Sequence, residues 1–460
     1  MRSMNENRRI IKVLIAVSFL FVAMLTYLMY FNLFVADEVL DKKLESQQWE
    51  TKSFQNRGKI FERKGELIAE TVTENDETKR VYPYGRLFSH VAGYCVRYKG
   101  TYHLEKMYND ELVAGDRNMV FQNVNVQGKD LTLTINADFQ QYVYDRLKGK
   151  KGAIVALAPK TGEVLAMVSL PDFDPETIGE NMDSQEDFLY ARAFNWTYPP
   201  GSTFKILTAA AAYENGMQGK MFNDTGGFEQ GELKIPNAGG KAYGEISLED
   251  GFRVSSNQVF GEVAYELGPE KLQDISKRFG LDTKMGGDIQ MKMSTVGYKD
   301  KKMFNTDCPN VGIGQGEVEV TPLHMAMICA TIANDGKMMQ PYLVKEISYA
   351  GKSVGKAKPK EIGQPITKDC ADYIGDMMID VVESGTGTRA QISNVTVAGK
   401  TGTAENSGED HAWFVGYAPA ENPQIAVAVV LENDGTSGGG AAAPIASRVM
   451  NEYLENYGIK

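Results

Sequence analysis

A serine and a lysine three residues apart, Ser202 and Lys205, form the first group in this sequence that could carry out chemistry. Pro199, Pro200 and Gly201 precede the pair and an alanine-rich apolar segment follows it, so the pattern predicts a helix start with both side chains on one face. A serine hydroxyl needs a base, and an amine whose pKa is lowered by burial can serve as one. The N–H groups at a helix start also favour an oxyanion. The pair therefore predicts a serine acyl-transfer site.

The same spacing recurs at Ser353 and Lys356. This second copy lies in a polar segment rich in glycine and lysine, which offers no apolar burial to lower the pKa of an amine. We interpret it as a surface turn without a catalytic role.

A second candidate group, Ser255 and Asn257, follows the Ser202 helix. A serine and an asparagine two residues apart in a loop can offer a hydroxyl and an amide to a proton relay or to a substrate amide. The alternative is purely structural, because Ser and Asn are also the usual residues of helix caps and turns.

The third group lies on a predicted strand and comprises Lys400, Thr401, Gly402 and Thr403. Such a strand can pair with an extended peptide, and its cation can meet a substrate carboxylate. The alternative is an ordinary strand with exposed polar residues. The triplet Lys-Thr-Gly also occurs at residues 160–162, but there it falls in a hairpin turn that precedes the serine.

Composition bounds the class of protein. The chain has 460 residues, 43% of them hydrophobic and 24% charged, which is typical of globular structure. The net charge of −11 argues against a nucleic-acid partner. The four cysteines form no CxxC pair and the four histidines no HxxxH pair, so no metal site or cofactor is predicted, although a single disulfide is possible.

The N-terminus predicts a membrane anchor. Residues 13–35 are apolar and carry no charge, and a run of about 20 such residues spans a bilayer. Arg8, Arg9 and Lys12 precede the run, so residues 1–12 should stay in the cytoplasm and the remainder of the chain should lie outside. A cleaved signal peptide is the alternative, but the run is too long and no small-x-small site follows.

The remaining pattern predicts two modules. Residues 36–150 combine strands and short helices, and residues 151–460 form a second domain. In the latter, a hairpin from Gly152, a mostly helical middle, a second set of strands and a final helix predict an antiparallel sheet with helices packed on it, which is an α+β fold.

Together, Ser-x-x-Lys, Ser-x-Asn and Lys-Thr-Gly in this order are the signature of β-lactamases and penicillin-binding proteins. The chain resembles a class B penicillin-binding protein, a monofunctional peptidoglycan D,D-transpeptidase. The resemblance covers nearly the whole chain, through residues 57–65, 133–140, 152–175, 198–205, 314–322, 399–405 and 413–416. It implies a transpeptidase domain of the penicillin-binding and serine β-lactamase type, preceded by one transmembrane helix and a smaller pedestal or dimerisation-like module.

The resemblance also implies roles for the residues. Ser202 would attack the D-Ala-D-Ala carbonyl of a stem peptide and form an acyl-enzyme, with Lys205 as general base. Ser255 and Asn257 would relay the proton to the leaving D-Ala and hold the substrate amide. Penicillins would acylate Ser202 as mimics of the substrate.

In the same way, Lys400 and Thr401 would support the electrostatics and bind the substrate carboxylate, with Gly402 and Thr403 beside them. The backbone N–H groups of Ser202 and Thr403 would form the oxyanion hole. The expected partner is a membrane glycosyltransferase of the shape, elongation, division and sporulation class. Three alternatives stay open. A D,D-carboxypeptidase and a β-lactamase or β-lactam sensor would use the same motifs, and a non-catalytic scaffold for wall enzymes would carry them without catalysis.

Overall fold

The computed structural model describes residues 2–30, 54–75, 77–97, 100–113, 127–178, 187–298, 300–405 and 408–458. The chain begins with a long helix, α1 (Arg2–Tyr30). Its segment Ile11–Tyr30 has a mean hydropathy of 2.3 and none of it is buried, so by length and composition it could cross a membrane. This agrees with the predicted span as far as Tyr30, and residues 31–35 lie outside the described residues.

The part of the chain up to residue 147 contains short strands and helices. In chain order after α1 they are β1 (Ile60–Phe61), β2 (Leu67–Glu74), β3 (Glu77–Val81), α2 (Ser89–Ala92), β4 (Cys95–Val96), β5 (Gly100–Thr101), α3 (Leu104–Met107), α4 (Asn109–Leu112), β6 (Asp130–Leu133) and α5 (Ala137–Leu147). Asn136 caps α5, because its side chain accepts a hydrogen bond from the Phe139 N–H, and asparagine is a preferred residue at this position.

The rest of the chain holds the larger elements. They are β7 (Gly152–Leu157), β8 (Val164–Leu170), α6 (Lys205–Glu214), β9 (Met221–Asp224), β10 (Gly227–Gln230), β11 (Leu233–Pro236), β12 (Gly244–Ser247), α7 (Leu248–Arg253), α8 (Asn257–Arg278), α9 (Cys308–Gly312), α10 (Pro322–Ile332), β13 (Met338–Met339), β14 (Val344–Tyr349), β15 (Lys352–Lys356), β16 (Glu361–Gly363), α11 (Lys368–Ser384), β17 (Ala398–Ala404), β18 (His411–Ala418), β19 (Ile425–Leu431) and α12 (Ala442–Asn456).

A five-stranded antiparallel sheet in the order β17-β18-β19-β7-β8 organises the second part of the chain. Its central strands are buried on both faces, and alternate residues of β19 contribute to two different hydrophobic clusters. One cluster contains α10 and the other contains α12, so helices cover both faces of the sheet. The predicted antiparallel sheet with packed helices is confirmed.

A six-stranded sheet in the order β15-β14-β6-β1-β2-β3 joins distant parts of the sequence. The surface turn predicted around Ser353 is wrong, because residues 352–356 form the edge strand β15, which pairs with β14. Its side chains are mostly exposed, as predicted, but on one side its backbone is paired with β14. The four cysteines are free and buried, so the disulfide that the sequence left open does not form.

Candidate active site

The predicted nucleophile lies in a tight turn. Ser202 belongs to a 3₁₀ turn, Gly201–Phe204, that runs directly into α6. Gly201 has φ +54°, and a Cβ atom there would lie 2.5 Å from the Thr403 carbonyl oxygen, so only glycine fits. The Gly201 N–H donates to the Gly314 carbonyl at 2.9 Å. Ser202 is half-buried, and its hydroxyl has no hydrogen-bond partner among the described residues.

Lys205 is fully buried and points at the second predicted group. Its Nζ donates to the Ser255 carbonyl oxygen at 2.8 Å and to Asn257 Oδ1 at 2.8 Å, and it lies 3.3 Å from Ser255 Oγ. Burial, helped by the charge of Lys400, holds the pKa of this amine well below its usual value. A neutral amine beside the start of the helix suits a general base, although within the described part of the chain it makes no hydrogen bond to Ser202.

Ser255 is held between two lysines. Its hydroxyl lies within reach of Lys205 and also accepts a hydrogen bond from Lys400 Nζ at 2.9 Å. Asn257 is the first residue of α8, and the capping role belongs to Ser256, whose Oγ accepts from the Val259 N–H at 3.0 Å. The structural capping role therefore belongs to Ser256, while Ser255 and Asn257 contact Lys205 and their chemical role stays a prediction.

Two buried polar residues that the sequence analysis missed hold this segment in place. The Asn237 Oδ1 atom accepts hydrogen bonds from the N–H groups of Asn257 at 2.8 Å and Gln258 at 3.1 Å. Its Nδ2 donates to the Asp224 carboxylate at 2.8 Å, and Ser256 Oγ donates to the same carboxylate at 2.5 Å. Neither residue stands in a recognisable motif, so only the folded chain identifies them.

The third group lies on β17, an edge strand of the five-stranded sheet. Lys400 is fully buried, and burial lowers its pKa to about 7. Besides Ser255, its Nζ contacts the Thr401 carbonyl oxygen at 3.1 Å. A Cβ atom at Gly402 would lie 2.8 Å from the Pro200 carbonyl oxygen, so glycine lets this strand approach the nucleophile turn. Thr403 is exposed at the open edge.

A further hydroxyl was also missed at this edge. Thr386 is exposed, and its Oγ1 lies 2.6 Å from Thr401 Oγ1. It stands between Gly385 and Gly387 just after α11, and that small-polar-small pattern is the only local signal that could have drawn attention to it.

The structure thus brings together Ser202, Lys205, Ser255, Asn257 and Lys400, with Thr401, Gly402 and Thr403 along one side. The two look-alike motifs lie elsewhere. Residues 160–162 turn between β7 and β8, where Lys160 Nζ contacts Asn422 Oδ1 at 2.7 Å, and Ser353 lies on β15 of the other sheet. Position, not the motif alone, separates the candidate site from the copies.

Comparison with known families agrees with this geometry. Residues 152–451 match the family described as the penicillin binding protein transpeptidase domain, and residues 57–131 match the penicillin binding protein A dimerisation domain. The chain belongs to the class B penicillin-binding proteins. The predicted family and fold are therefore confirmed: a transpeptidase domain of mixed α and β structure follows a dimerisation module and an apolar N-terminal helix.

Named relatives of this class B penicillin-binding protein are peptidoglycan transpeptidases. It is 30% identical to the peptidoglycan D,D-transpeptidase PbpA of Mycolicibacterium smegmatis, over 98% of this chain and 99% of that protein. It is 31% identical to the peptidoglycan D,D-transpeptidase MrdA of Haemophilus influenzae, over 82% of this chain and 69% of that protein.

Solved structures of similar proteins include a covalent antibiotic complex. Penicillin-binding protein A of M. tuberculosis, as a ceftriaxone acyl-enzyme, superposes with a TM-score of 0.82 at 30% identity and covers 88% of this chain and 100% of that one. The D,D-transpeptidase domain of a peptidoglycan glycosyltransferase from Eggerthella lenta gives a TM-score of 0.79 at 34% identity, with coverages of 88% and 99%.

Proposed function

We propose that this class B penicillin-binding protein is a peptidoglycan D,D-transpeptidase with Ser202 as its nucleophile. The observation that carries the proposal is the convergence of Lys205, Ser255 and Lys400 at the start of the Ser202 helix, with both lysines fully buried. Two buried amines with lowered pKa values contact the same hydroxyl, and this arrangement lets a proton pass between them.

Acylation of the enzyme is the first step. Ser202 Oγ bonds to the carbonyl carbon of the terminal D-Ala-D-Ala peptide while Lys205 takes the hydroxyl proton. The N–H groups of Ser202 and Thr403 stabilise the oxyanion. The proton then passes through Ser255 to the nitrogen of the leaving D-Ala, the C–N bond breaks, and the acyl-enzyme results. A β-lactam follows the same course, but its amine stays attached after the ring opens.

The edge strand β17 orients the donor peptide. An extended peptide can add to an open sheet edge through its backbone, and Asn257 can hold a substrate amide. Lys400 supplies positive potential near the terminal carboxylate, and the hydroxyls of Thr401 and Thr403 bind it. In the second step, the amine of a neighbouring stem peptide attacks the acyl-enzyme carbonyl. The new C–N bond forms the cross-link, the bond to Ser202 Oγ breaks, and the amine proton returns to Ser202 Oγ through Lys205.

An N-terminal membrane anchor would hold this chemistry at the membrane. We propose that residues 1–12 are cytoplasmic, that residues 13–35 anchor the chain, and that the modules at 36–150 and 151–460 lie on the outer side, where wall peptides are. The basic residues Arg8, Arg9 and Lys12, close before the apolar run, support this orientation. A membrane glycosyltransferase of the shape, elongation, division and sporulation class is the proposed partner, since it would supply the glycan strands that are cross-linked.

Labelling with a fluorescent penicillin tests the nucleophile. We expect labelling of the wild type, none of Ser202→Ala, and wild-type labelling of Ser353→Ala, which removes the serine of the look-alike motif. Equal labelling of Ser202→Ala would show that the nucleophile is a different residue.

The acceptor is tested separately with lipid-linked precursor and a glycosyltransferase. We expect cross-linked dimers of stem peptides from the wild type. Release of D-Ala without dimers would instead identify a carboxypeptidase, and rapid nitrocefin turnover would identify a β-lactamase.

A further inference from the structure

A cluster of polar and charged groups surrounds Tyr198, three residues before the nucleophile turn begins. Tyr198 and Arg192 are each only 2% exposed. The Tyr198 hydroxyl donates to Glu432 Oε2 at 3.0 Å, and Arg192 Nε donates to the same oxygen at 2.9 Å. Lys151 Nζ binds the other carboxylate oxygen at 2.8 Å. Glu432 is therefore the hub of the cluster.

The cluster joins three segments that are far apart in sequence. Lys151 precedes β7 and Glu432 follows β19, so both belong to one end of the central sheet. Arg192 lies in the loop that leads to Ser202, and its Nη1 donates to the Asp187 carbonyl at 2.9 Å. Burial opposes ionisation of Glu432, but the hydrogen bonds from Lys151 and Arg192 outweigh it and lower the pKa of that carboxyl.

From Tyr198, a short series of contacts reaches the nucleophile. The backbone of Tyr198 exchanges two hydrogen bonds with Val320, both at 2.9 Å. The next carbonyl, that of Pro199, accepts from Trp413 Nε1 at 3.0 Å, and the Tyr198 ring meets the Trp413 ring edge to face at 6.1 Å. The turn that carries Ser202 begins two residues later. Contacts with Glu432, Val320 and Trp413 thus fix the two residues, Tyr198 and Pro199, that lead into the turn.

We propose that Tyr198 and Glu432 are positioning residues, which hold the nucleophile turn in register with the buried lysine amines. The inference rests on the proposed function, since it concerns the acylation of Ser202. Neither side chain touches the reacting atoms. Their effect is geometric: displacement of a nucleophile by about 1 Å can cost about a hundredfold in rate.

The chain contains a matched cluster that serves as a control. In the N-terminal module, the Tyr82 hydroxyl donates to Glu105 Oε1 at 3.3 Å, and Arg57 and Arg80 bind the same carboxylate at 2.6 and 2.8 Å. This cluster is more deeply buried than the first, because the Glu105 carboxylate is fully buried whereas the Glu432 side chain is 12% exposed. It belongs to a different part of the fold, since Arg80 lies on β3 of the six-stranded sheet. It shares the chemistry of the Glu432 cluster without its position.

The experiment measures acylation of full-length protein in detergent by a fluorescent penicillin, and separates the dissociation constant of the non-covalent complex from the acylation rate constant. We expect Tyr198→Phe to lower the rate constant about tenfold and to leave the dissociation constant unchanged, because orientation acts on the chemical step. Tyr82→Phe should acylate at the wild-type rate, even where both variants lower Tm equally. Tyr198→Phe combined with Glu432→Gln should be no slower than the slower single variant, since the two act as one unit.

The outcomes are distinct. A wild-type rate constant for Tyr198→Phe, or an equal loss for Tyr82→Phe, would overturn the inference and leave the proposed function intact. Undiminished labelling of Ser202→Ala would overturn both. Phe in place of Tyr keeps the ring that packs against His411 and Trp413, so the test does not depend on whether the Glu432 variant folds.

Discussion

At the scale of single residues, the site depends on two buried lysines that share one hydroxyl. Lys205 and Lys400 both approach Ser255 Oγ, at 3.3 and 2.9 Å. Burial and the charge of Lys400 disfavour the charge of Lys205, and burial disfavours that of Lys400, so at neutral pH one amine can be neutral while the other keeps its proton. A general base and a cation can therefore be made from the same residue type by environment alone.

This arrangement predicts a bell-shaped pH dependence of acylation. Lys205 must lose its proton to act as base, so the rate rises with pH through its lowered pKa. Lys400 must keep its proton to act as a cation, so the rate falls as pH rises past about 7. In Lys400→Arg the alkaline limb should disappear, because a guanidinium does not titrate there, although the maximal rate will be lower. Penicillin acylation rates measured across the titration range check this, and an unchanged alkaline limb in Lys400→Arg would exclude Lys400 as its origin.

At the scale of elements, the short turn before α6 must pass very close to the edge strand β17. Gly201 and Gly402 permit this approach, since a Cβ atom at either position would press against a carbonyl oxygen of the other segment. The oxyanion hole proposed between Ser202 and Thr403 depends on the same closeness. An alanine at either glycine would therefore push the turn and the strand β17 apart.

The two ends of α6 offer a matched test of this point. Gly201, before the helix, and Gly216, after it, both have positive φ, but only at Gly201 would a Cβ atom meet another segment. We expect Gly216→Ala to cost about 1–2 kcal/mol of stability, the price of a left-handed alanine, and to leave acylation unchanged. Gly201→Ala should lose acylation as well. Thermal denaturation and penicillin labelling check both variants, and normal acylation by Gly201→Ala would show that the close approach is not required.

At the scale of the whole molecule, the chain returns to its N-terminal module between the second and the third group of the candidate active site. Strand β14 pairs with β6, and the Asp288 carboxylate accepts hydrogen bonds from the N–H groups of Leu343 and Val344 and, at 3.4 Å, from the Tyr108 hydroxyl. One family match ends at residue 131 and the other begins at residue 152. The six-stranded sheet nevertheless contains strands from both parts of the chain. The division at residue 150 stays a prediction about sequence modules, and the two parts share one sheet.

This sharing predicts that the second part is unstable alone. A fragment of residues 151–460 would leave β14 without β6 and expose apolar residues that the N-terminal module covers, among them Leu343 and Val344. We expect it to aggregate or to melt at a lower temperature than residues 37–460, which lack the N-terminal tail and the anchor and should acylate normally. Size-exclusion chromatography and circular dichroism on both fragments check this. A monomeric 151–460 fragment with an unchanged Tm would show that the shared sheet contributes little.

The sequence by itself determined the local elements and the family. Apolar runs bounded by turn residues predicted the hairpin from Gly152 and the second set of strands, and three ordered motifs predicted the class of protein. These signals work because strand alternation, capping and turn formation depend on residues a few positions apart. Ser202 could be chosen over Ser353 because its flanking residues are apolar.

Tertiary structure alone decided which distant groups meet. Asp224 and Asn237 support Asn257, Thr386 contacts Thr401, and Glu432 binds Tyr198 from more than two hundred residues away. A single polar residue carries no local sign of such a partner, because the contact exists only once the backbone has brought two elements together. The strand β15 was missed for the same reason. Its polar sequence shows no strand period, and it forms a strand because β14 presents an open edge beside it.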